Sequence, residues 1–384
     1  MNNRRMRRFL LLLWFACQMI SASAAEADWN VRVTPFDQVY PVLELSQPQR
    51  VRTAGAGLAF GDGNGLIAVR VHARRDGERV HLRADLPELD AKAEVDAVLP
   101  QAGADYELRP LFSWDTAQLA ALRVPRRLQL FVSLQRDDEP AAARVRSVVV
   151  RPLSEALYFV RDGHDSVDLS WIFAAYVDEH DRVVDEILAA ALQSGIVDKL
   201  DGYAGGSGDH VLRQAWAVWQ ALAAHGIRYS AADPGIARGP GVFSQRVRLL
   251  EQTWSDRSAN CVDGSVLIAS VLQRIGLRSF LVLVPGHAFV GFYTDPAATQ
   301  AAYLETTVLG ASPPALGPTP AFATSVDRAS ASGLDLAGFS AALALGQRRF
   351  THNAARFDQR HRPDYAVIDI AAARAFGIEP IEAR

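Results

Sequence analysis

The chain has 384 residues, 40 basic and 43 acidic side chains, and a hydrophobic fraction of 49%. This length favours two or three domains, and the composition supplies enough apolar material for their cores. The formal net charge of −3 is not the basic footprint of a nucleic-acid-binding protein, so nucleic acid is excluded as a partner.

Residues 1–24 have the layout of a secretory signal peptide. Four arginines precede an apolar run over 9–20, and Ala22-Ser23-Ala24 fits an A-x-A cleavage site. We expect a periplasmic or secreted protein without a transmembrane segment after cleavage, because this run is too short for a comfortable span and no later run is long enough. The alternative is a lipoprotein anchored through Cys17. Cleavage after residue 24 would remove Cys17 and leave Cys261 as the one remaining cysteine.

Residues 25–155 follow a β pattern. Apolar and polar residues alternate in three segments, which is the period of half-buried strands. Turn signals separate the segments, as in a β-sandwich-like domain. The inward faces are predicted to be formed by Ile67, Val69, Val71 and Ala73, by Val80, Leu82 and Ala84, and by Leu128, Leu130, Val132 and Leu134.

Asp76-Gly77 predicts a tight hairpin between the first two of these segments. Such a hairpin would place His72 opposite His81 on the polar face. Two facing histidines are a potential metal site, but the sequence offers no evident third ligand. We therefore expect a solvated pair, and no metal or cofactor.

Residues 156–384 are predicted to form a second domain, which begins with helices. Segments 181–192 and 211–227 carry apolar residues at three- and four-residue spacing, typical of amphipathic helices. Trp216 and Trp219 lie on the second helix, where a core position is expected rather than a cofactor site. Further on, "ASPPALGPTP" suggests a loop over the cleft, and "YAVIDIAAARAFGI" predicts a strand and a helix packed on the core.

The cysteine opens a further predicted helix. Asn260 and Asp263 have the spacing of a capping box, and the helix would end at Gly276. Cys261 would then be the first helical residue, where free N–H groups and the positive end of the helix dipole favour the thiolate. The thiolate is the nucleophilic form of cysteine. The alternative is a small core residue, a common role for free cysteine.

The next segment favours the nucleophile. An apolar strand over 279–284 ends at Pro285-Gly286, His287 begins a second strand, and a third covers 303–307. A hairpin centred near residue 296 would pair His287 with Glu305, with their Cβ atoms ~5 Å apart on one face. A carboxylate there would fix the imidazole tautomer and stabilise its protonated form. For each residue considered alone, the alternative is a structural role for His287 and a surface position opposite a neighbouring strand for Glu305.

At these residues the sequence resembles the transglutaminase-like superfamily of papain-like cysteine enzymes, in the style of exported bacterial members. Members carry a cysteine opening a helix, a "GI" turn, a histidine in an H-A-[FW] strand and an acidic residue in a D-x-T-like strand. The matching segments here are "NCVD", "IGL", "GHAF" and "LETT", and "HGIRYS" is similar to the helix-to-strand transition upstream of the cysteine.

This resemblance covers roughly 205–310. It implies an α+β papain-like core, in which the cysteine-bearing helix packs on an antiparallel sheet, with Cys261, His287 and Glu305 as the catalytic triad. Two features depart from the family. Glu305 replaces the usual aspartate and adds a methylene, and the short spacing from Cys261 to His287 leaves little room for a substrate-binding insertion.

The predicted function is acyl transfer from an amide through a thioester at Cys261. Water as the acceptor would make a peptidase or amidase, and an amine would make a transglutaminase. Peptide or protein amides, peptidoglycan stems among them, are the expected partners. The rival is a non-enzymatic envelope binding or scaffold protein. The Cys261 amide is one candidate oxyanion donor; spacing does not decide among the upstream residues Gln245, Gln252 and Trp254.

Overall fold

A computed structural model of the chain divides it into two compact units, which meet in sequence at Val160 and Arg161. The second unit extends to Ile381. The signal peptide predicted over 1–24 lies outside the described residues. Those residues are 28–47, 51–52, 59–162, 165–231, 241–311, 320–323, 334–357 and 364–381.

The first unit is built mainly from strands. One sheet has the order β1-β5-β8-β4-β3 and the other the order β2-β11-β10-β6-β7-β9, and two short helices, α1 (Pro41–Leu45) and α2 (Thr116–Ala121), lie between strands in sequence. The strands are β1 (Trp29–Val33), β2 (Gln38–Val39), β3 (Val51–Arg52), β4 (Ala59–Asp62), β5 (Ile67–His72), β6 (Glu78–Leu86), β7 (Ala91–Leu99), β8 (Asp105–Arg109), β9 (Phe112–Ser113), β10 (Arg126–Arg136) and β11 (Ala142–Val150).

The three predicted inward faces of this unit are confirmed. All eleven predicted side chains on β5, β6, β10 and the residue following β5 are buried, none more than 4% exposed. Alternation with period two therefore identified the buried face of each strand, because one face of each sheet supplies the core.

The predicted hairpin at Asp76-Gly77 is wrong. The chain does turn there, but β5 pairs with β1 and β8, whereas β6 pairs with β10 and β7 in the other sheet. His72 consequently contacts Asp105 through Nδ1 at 3.1 Å, and His81 contacts Asp96 through Nδ1 at 2.8 Å. The turn signal is local, so it cannot tell a hairpin from a crossing between sheets.

The second unit mixes helices with several small sheets, so the chain is α+β. Strand β12 (Glu155–Asp162) leads into it. Its further strands are β13 (Asp165–Asp168), β14 (Arg228–Tyr229), β15 (Val242–Arg246), β16 (Ser258–Ala259), β17 (Ser279–Val284), β18 (His287–Tyr293), β19 (Ala301–Leu304) and β20 (Ala366–Asp369). Its helices are α3 (Arg182–Gln193), α4 (Gly208–His225), α5 (Leu250–Asp256), α6 (Cys261–Arg274), α7 (Leu336–Asn353) and α8 (Ile370–Phe376), with 3-10 turns at Ser170–Tyr176, Thr306–Val308, Ala321–Ala323 and Ala354–Arg356.

Helix α6 packs on a four-stranded sheet of order β19-β18-β17-β20. Its residues from Val262 to Leu272 are all buried, and so are all six residues of β17. A helix buried around most of its circumference requires cover on several sides, and α3, α4 and α5 supply it. The predicted strand over 279–284, the helix start at Cys261 and the strand start at His287 are confirmed.

The last part of the chain adds to the same sheet. β20 pairs antiparallel with β17 and continues into α8, which confirms the predicted strand and helix. Trp216 and Trp219 are fully buried, as expected of core residues. The proline-rich loop predicted over the cleft falls largely on 312–319, outside the described residues. Across the described segments, none of the helices has both the length and the apolar composition needed to cross a membrane.

Candidate active site

Cys261 is the first residue of α6, and the predicted capping box holds that end of the helix. The Asn260 side chain accepts hydrogen bonds from the N–H groups of Val262 (2.8 Å) and Asp263 (2.9 Å), and the Asp263 carboxylate accepts one from the Asn260 N–H (3.0 Å). The thiol is free and half-buried. Cys261 therefore has the positive end of the helix dipole behind it and partial access to solvent.

Asp263 also fixes the chain that precedes α5. Arg248 donates to it through the backbone N–H (2.8 Å) and through Nη1 (2.6 Å). The Asp263 side chain is 0% exposed and that of Arg248 is 14% exposed. A buried carboxylate is stable only when its lone pairs are satisfied, so this pair locks the loop against the first turn of α6. The backbone around Cys261 is thereby held from both sides.

His287 is the first residue of β18 and follows the turn at Gly286, whose φ is +70°. It pairs with Val284 at the end of β17, and α6 packs across β18. Its Nε2 lies 2.7 Å from Oε2 of Glu305, and interaction with the Cys261 side chain contributes to its raised pKa. Because Glu305 occupies Nε2, an interaction of the ring with the sulfur would use Nδ1.

Glu305 reaches His287 in a register that differs from the expected one. Val290 pairs with Leu304, whereas the predicted hairpin would pair it with Ala302. Strand β19 ends at Leu304, and Glu305 begins the 3-10 turn at Thr306–Val308. The pairing of His287 with Glu305 is therefore wrong as a cross-strand pair, while the expected contact between their side chains is confirmed. A shift of two residues keeps the side chain on the same face.

The Glu305 carboxylate is surrounded by donors. Oε1 accepts from the Thr307 N–H (3.0 Å) and hydroxyl (2.7 Å), while Oε2 faces His287 and lies 2.8 Å from Nε of Arg349. The side chain is 1% exposed. The hydroxyl of Thr306, which lies between Glu305 and Thr307 in sequence, donates a hydrogen bond to the Cys261 carbonyl at 3.2 Å. The turn that carries the carboxylate is thus bonded directly to the first turn of the cysteine helix.

The pKa values of His287 and Glu305 move in opposite directions, as in an ion pair. Burial alone would lower the pKa of His287, but hydrogen bonds to Cys261 and Glu305 and the negative charge of both outweigh burial and raise it from 6.5 to about 9. Burial would raise the pKa of Glu305, but His287 and the Thr307 donors hold it below its ordinary value. Near neutral pH the pair is an imidazolium facing a carboxylate.

Tyr229 borders the same site. Strand β14 runs parallel to β16, with Tyr229 opposite Ala259, two residues before Cys261. The side chain is 39% exposed. Burial raises its pKa, negative charge on Cys261 and Glu305 raises it further, and Arg349 opposes them. The phenol is therefore near enough to Cys261 and Glu305 to interact with both electrostatically.

Two of the upstream candidates for an oxyanion donor are engaged elsewhere. The Trp254 indole N–H donates to Glu186 at 2.9 Å, and its ring stacks on His225. The Gln245 amide donates to the Arg246 carbonyl at 3.0 Å. The backbone N–H of Cys261, by contrast, has no hydrogen-bond acceptor within the part of the chain that the structure describes.

Sequence reasoning missed Tyr229, Thr307 and Arg349. Tyr229 and Thr307 lie inside the segments "HGIRYS" and "LETT", so a closer reading of those segments was the available signal. Arg349 lies on α7, and nothing in the local pattern connects it with Glu305. Among the residues that the structure covers, no cluster of histidine, cysteine, aspartate and glutamate side chains could hold a metal ion.

The site combines a cysteine at a helix start, a histidine at a strand start and a buried carboxylate that contacts the histidine. Comparisons of the chain with protein-family models, with curated proteins and with solved structures find no match.

Proposed function

We propose that the second unit is a cysteine-dependent enzyme that transfers an acyl group from an amide, as a peptidase, amidase or transglutaminase-type acyltransferase. The observation that carries the proposal is the 2.7 Å contact of His287 with the buried Glu305, together with the interaction of the same imidazole with Cys261 that raises its pKa. A nucleophile, a base and an orienting group in that order are the parts that acyl transfer needs. The proposal includes a transglutaminase-like, papain-like core around α6 and β17–β19.

The reaction would proceed in two halves. The Cys261 thiolate attacks the amide carbonyl, and the protonated His287 donates its proton to the departing amine, which leaves a thioester on the sulfur. Neutral His287 then removes a proton from water or from an acceptor amine, which attacks the thioester and releases the thiolate. Glu305 supports both halves because a carboxylate on Nε2 fixes the tautomer and stabilises the imidazolium.

The negative oxygen of the tetrahedral intermediate needs donors close to the sulfur. The backbone N–H of Cys261 is the first candidate, because it is the N–H group of the nucleophile itself at a helix N-terminus. The hydroxyl of Tyr229 is the second, because the phenol is near enough to Cys261 to interact with it electrostatically. Trp254 is a weaker candidate, since its single indole N–H is already used, and Gln245 has one of its two amide hydrogens engaged.

The glutamate in place of the family's aspartate is compatible with this chemistry. Glu305 lies just beyond the end of β19 rather than in the ladder, and its longer side chain bridges the distance to Nε2 at 2.7 Å. The extra methylene therefore compensates for the position of the backbone. The 2.7 Å contact supports the proposal that a glutamate takes the place of the aspartate in the triad.

Thiol labelling tests the proposal without knowledge of the substrate. The full chain would be treated with iodoacetamide at pH 7, and the labelled residue mapped by mass spectrometry. We expect rapid labelling of Cys261 and a loss of at least tenfold in rate in His287→Ala, because the imidazolium stabilises the thiolate. The matched control is His352→Ala, an exposed histidine in the same unit. Equal rates in the two variants would make Cys261 a structural residue.

Turnover is then tested with peptide-amide libraries, peptidoglycan fragments and a fluorescent primary amine. Release of amine from the donor indicates hydrolysis, and incorporation of the fluorescent amine indicates transamidation. Cys261→Ala should abolish either activity with the fold unchanged. If Cys261→Ala complements a deletion strain as well as the wild type does, the chain is a scaffold or binding protein instead. Its localisation in the cell envelope stays a prediction.

A further inference from the structure

Helix α7 meets the Glu305 backbone and side chain from one face. The Glu305 N–H donates to the Ala342 carbonyl at 3.0 Å, one turn before Gly346. A Cβ atom at Gly346 would lie 2.5 Å from the Tyr303 carbonyl oxygen, so the helix approaches the end of β19 as closely as a glycine allows. Arg349 follows on the same face, since positions i, i+4 and i+7 of a helix align.

The Arg349 guanidinium adds a positive charge to this face. Its Nε lies 2.8 Å from Oε2, the oxygen that His287 also contacts, while both Thr307 donors occupy Oε1. The Arg349 side chain is 43% exposed and that of Glu305 is 1% exposed. The cation therefore retains much of its hydration while it neutralises a carboxylate that has none.

The charge on His287 changes during acyl transfer, but the charge on Arg349 does not. Each time His287 gives up its proton, Glu305 would be left as a buried carboxylate facing a neutral ring, which is costly in a protein interior. An arginine stays protonated at every accessible pH. Arg349 can thus balance Glu305 in the half of the cycle in which His287 is neutral.

We propose that Arg349 is a positioning residue, which keeps the Glu305 carboxylate ionised and aimed at His287 while the imidazole gains and loses its proton. This inference rests on the proposed function. It also assigns a purpose to α7, because the helix delivers the arginine and a backbone acceptor to Glu305 and, at Gly346, approaches the two residues that precede it in the chain. Arg349 acts through Glu305 and need not touch the substrate.

A double-mutant cycle on thiol reactivity tests this inference. The rate of Cys261 alkylation by iodoacetamide would be measured from pH 5 to 10 in the full chain, for the wild type, Arg349→Gln, Glu305→Gln and the double variant. We expect Arg349→Gln to slow alkylation about tenfold at pH 7 in the wild-type background, and to have no further effect once Glu305 is glutamine. Arg348→Gln is the matched control, with the same charge change on a neighbouring, exposed position of α7.

The outcomes separate the two proposals. If Glu305→Gln itself leaves the alkylation profile unchanged, the triad and with it the proposed function fail. Suppose that Glu305→Gln slows alkylation as expected. The role of Arg349 alone is then overturned if Arg349→Gln leaves the alkylation rate unchanged, changes it no more than Arg348→Gln does, or slows it equally in the wild-type and Glu305→Gln backgrounds. Arg349→Lys provides a second variant with the charge retained, and it should recover part of the lost rate. It enters the cycle in place of Arg349→Gln if circular dichroism shows that the glutamine variant is not folded.

Discussion

Nε2 of His287 lies 2.7 Å from Oε2 of Glu305, although the two residues are not partners in the β18–β19 ladder. The ladder ends at Leu304, and the 3-10 turn that follows aims the glutamate back across the strand end. Thr306 in that turn also bonds to the Cys261 carbonyl. One turn therefore connects the carboxylate with both the histidine and the cysteine helix, and substitutions in it should act on the thiol.

The side chain at residue 305 should matter through its charge more than its size. Glu305→Gln should lower turnover by as much as ~10⁴-fold, by analogy with triads whose carboxylate is replaced by an amide. The structure adds a reason. Both carboxylate oxygens of Glu305 have hydrogen-bond donors as partners, so the NH2 group of the glutamine would face a donor instead of an acceptor. Glu305→Asp should retain more activity than Glu305→Gln despite its shorter reach. The measurement is kcat/KM on one amide substrate, and a glutamine variant as active as the aspartate variant contradicts the orienting role.

Activity should decline on the basic side of pH as His287 loses its proton. Burial lowers the pKa of His287, but the contacts with Cys261 and Glu305 outweigh it and raise the value to about 9. The protonated ring is the acid that releases the amine, so kcat/KM should fall above about pH 9 rather than above 6.5. In Glu305→Gln the limb should move to lower pH, because one source of the raised pKa is gone. An unmoved limb in that variant would mean that another group titrates.

The stability of the fold should share this pH dependence. The pKa of His287 is higher in the folded protein, at about 9, than its ordinary value of 6.5. The ion pair therefore contributes its full stabilisation below pH 6.5, and the contribution is lost as pH rises through about 9. The loss is up to ~3 kcal/mol for a shift of this size. Urea denaturation of the full chain at pH 6 and pH 10 should show it in the wild type and in His352→Gln, and His287→Gln should remove it.

Local patterns in the sequence were informative wherever one element sufficed. The capping box at Asn260 and Asp263, the start of α6 at Cys261 and the bounds of β17 follow from caps, turns and periodicity within a few residues. The contact between His287 and Glu305 survived an error of two in register, because an even shift preserves the face of a strand. A candidate triad could therefore be predicted before its geometry was known.

Relationships between distant segments could not be predicted in this way. The Asp76-Gly77 turn separates strands of different sheets, and a turn signal contains no information about the next strand's partner. Helix α7 has a weak apolar stripe, with glycine and alanine at its closest contacts, so its sequence gave little indication of a packed helix. The ion pair of Arg349 with Glu305 depends on how that helix docks, which only the tertiary structure supplies.

The buried pair beneath Cys261 should be a major source of local stability. Asp263→Asn removes the charge that faces Arg248 in a site with 0% exposure of the aspartate, and breaking such a pair costs about 3–5 kcal/mol. The control is Asp256→Asn, which removes the same arginine's other carboxylate, 60% exposed and 3.9 Å away. That change should cost less than ~1 kcal/mol. Urea denaturation measures the free energy of unfolding of both variants. Equal losses would mean that burial of the Asp263–Arg248 pair adds nothing to its contribution to stability.

Gly346 should be required for α7 to dock against the end of β19. Glycine to alanine in an ordinary helix interior stabilises by about 0.5–1 kcal/mol, because alanine loses less backbone entropy on folding. At Gly346 the new Cβ would lie 2.5 Å from the Tyr303 carbonyl oxygen and 2.9 Å from the Leu304 backbone nitrogen, and neither backbone atom can move without disturbing the strand. We therefore expect Gly346→Ala to destabilise the protein by ~1–3 kcal/mol, as overpacking of a close contact does.

Whether Gly346→Ala stabilises or destabilises the protein tests the close docking of α7, and a second substitution on the same helix provides the reference. Ala344 is exposed two residues earlier, so Ala344→Gly measures the intrinsic difference between the two residues in α7, with an expected loss of about 1 kcal/mol. Gly346→Ala should also slow alkylation of Cys261 at pH 7, because a displaced α7 moves the Ala342 carbonyl and Arg349 away from Glu305. A Gly346→Ala variant that is more stable than the wild type, with unchanged alkylation, would show that α7 does not hold Glu305 in place.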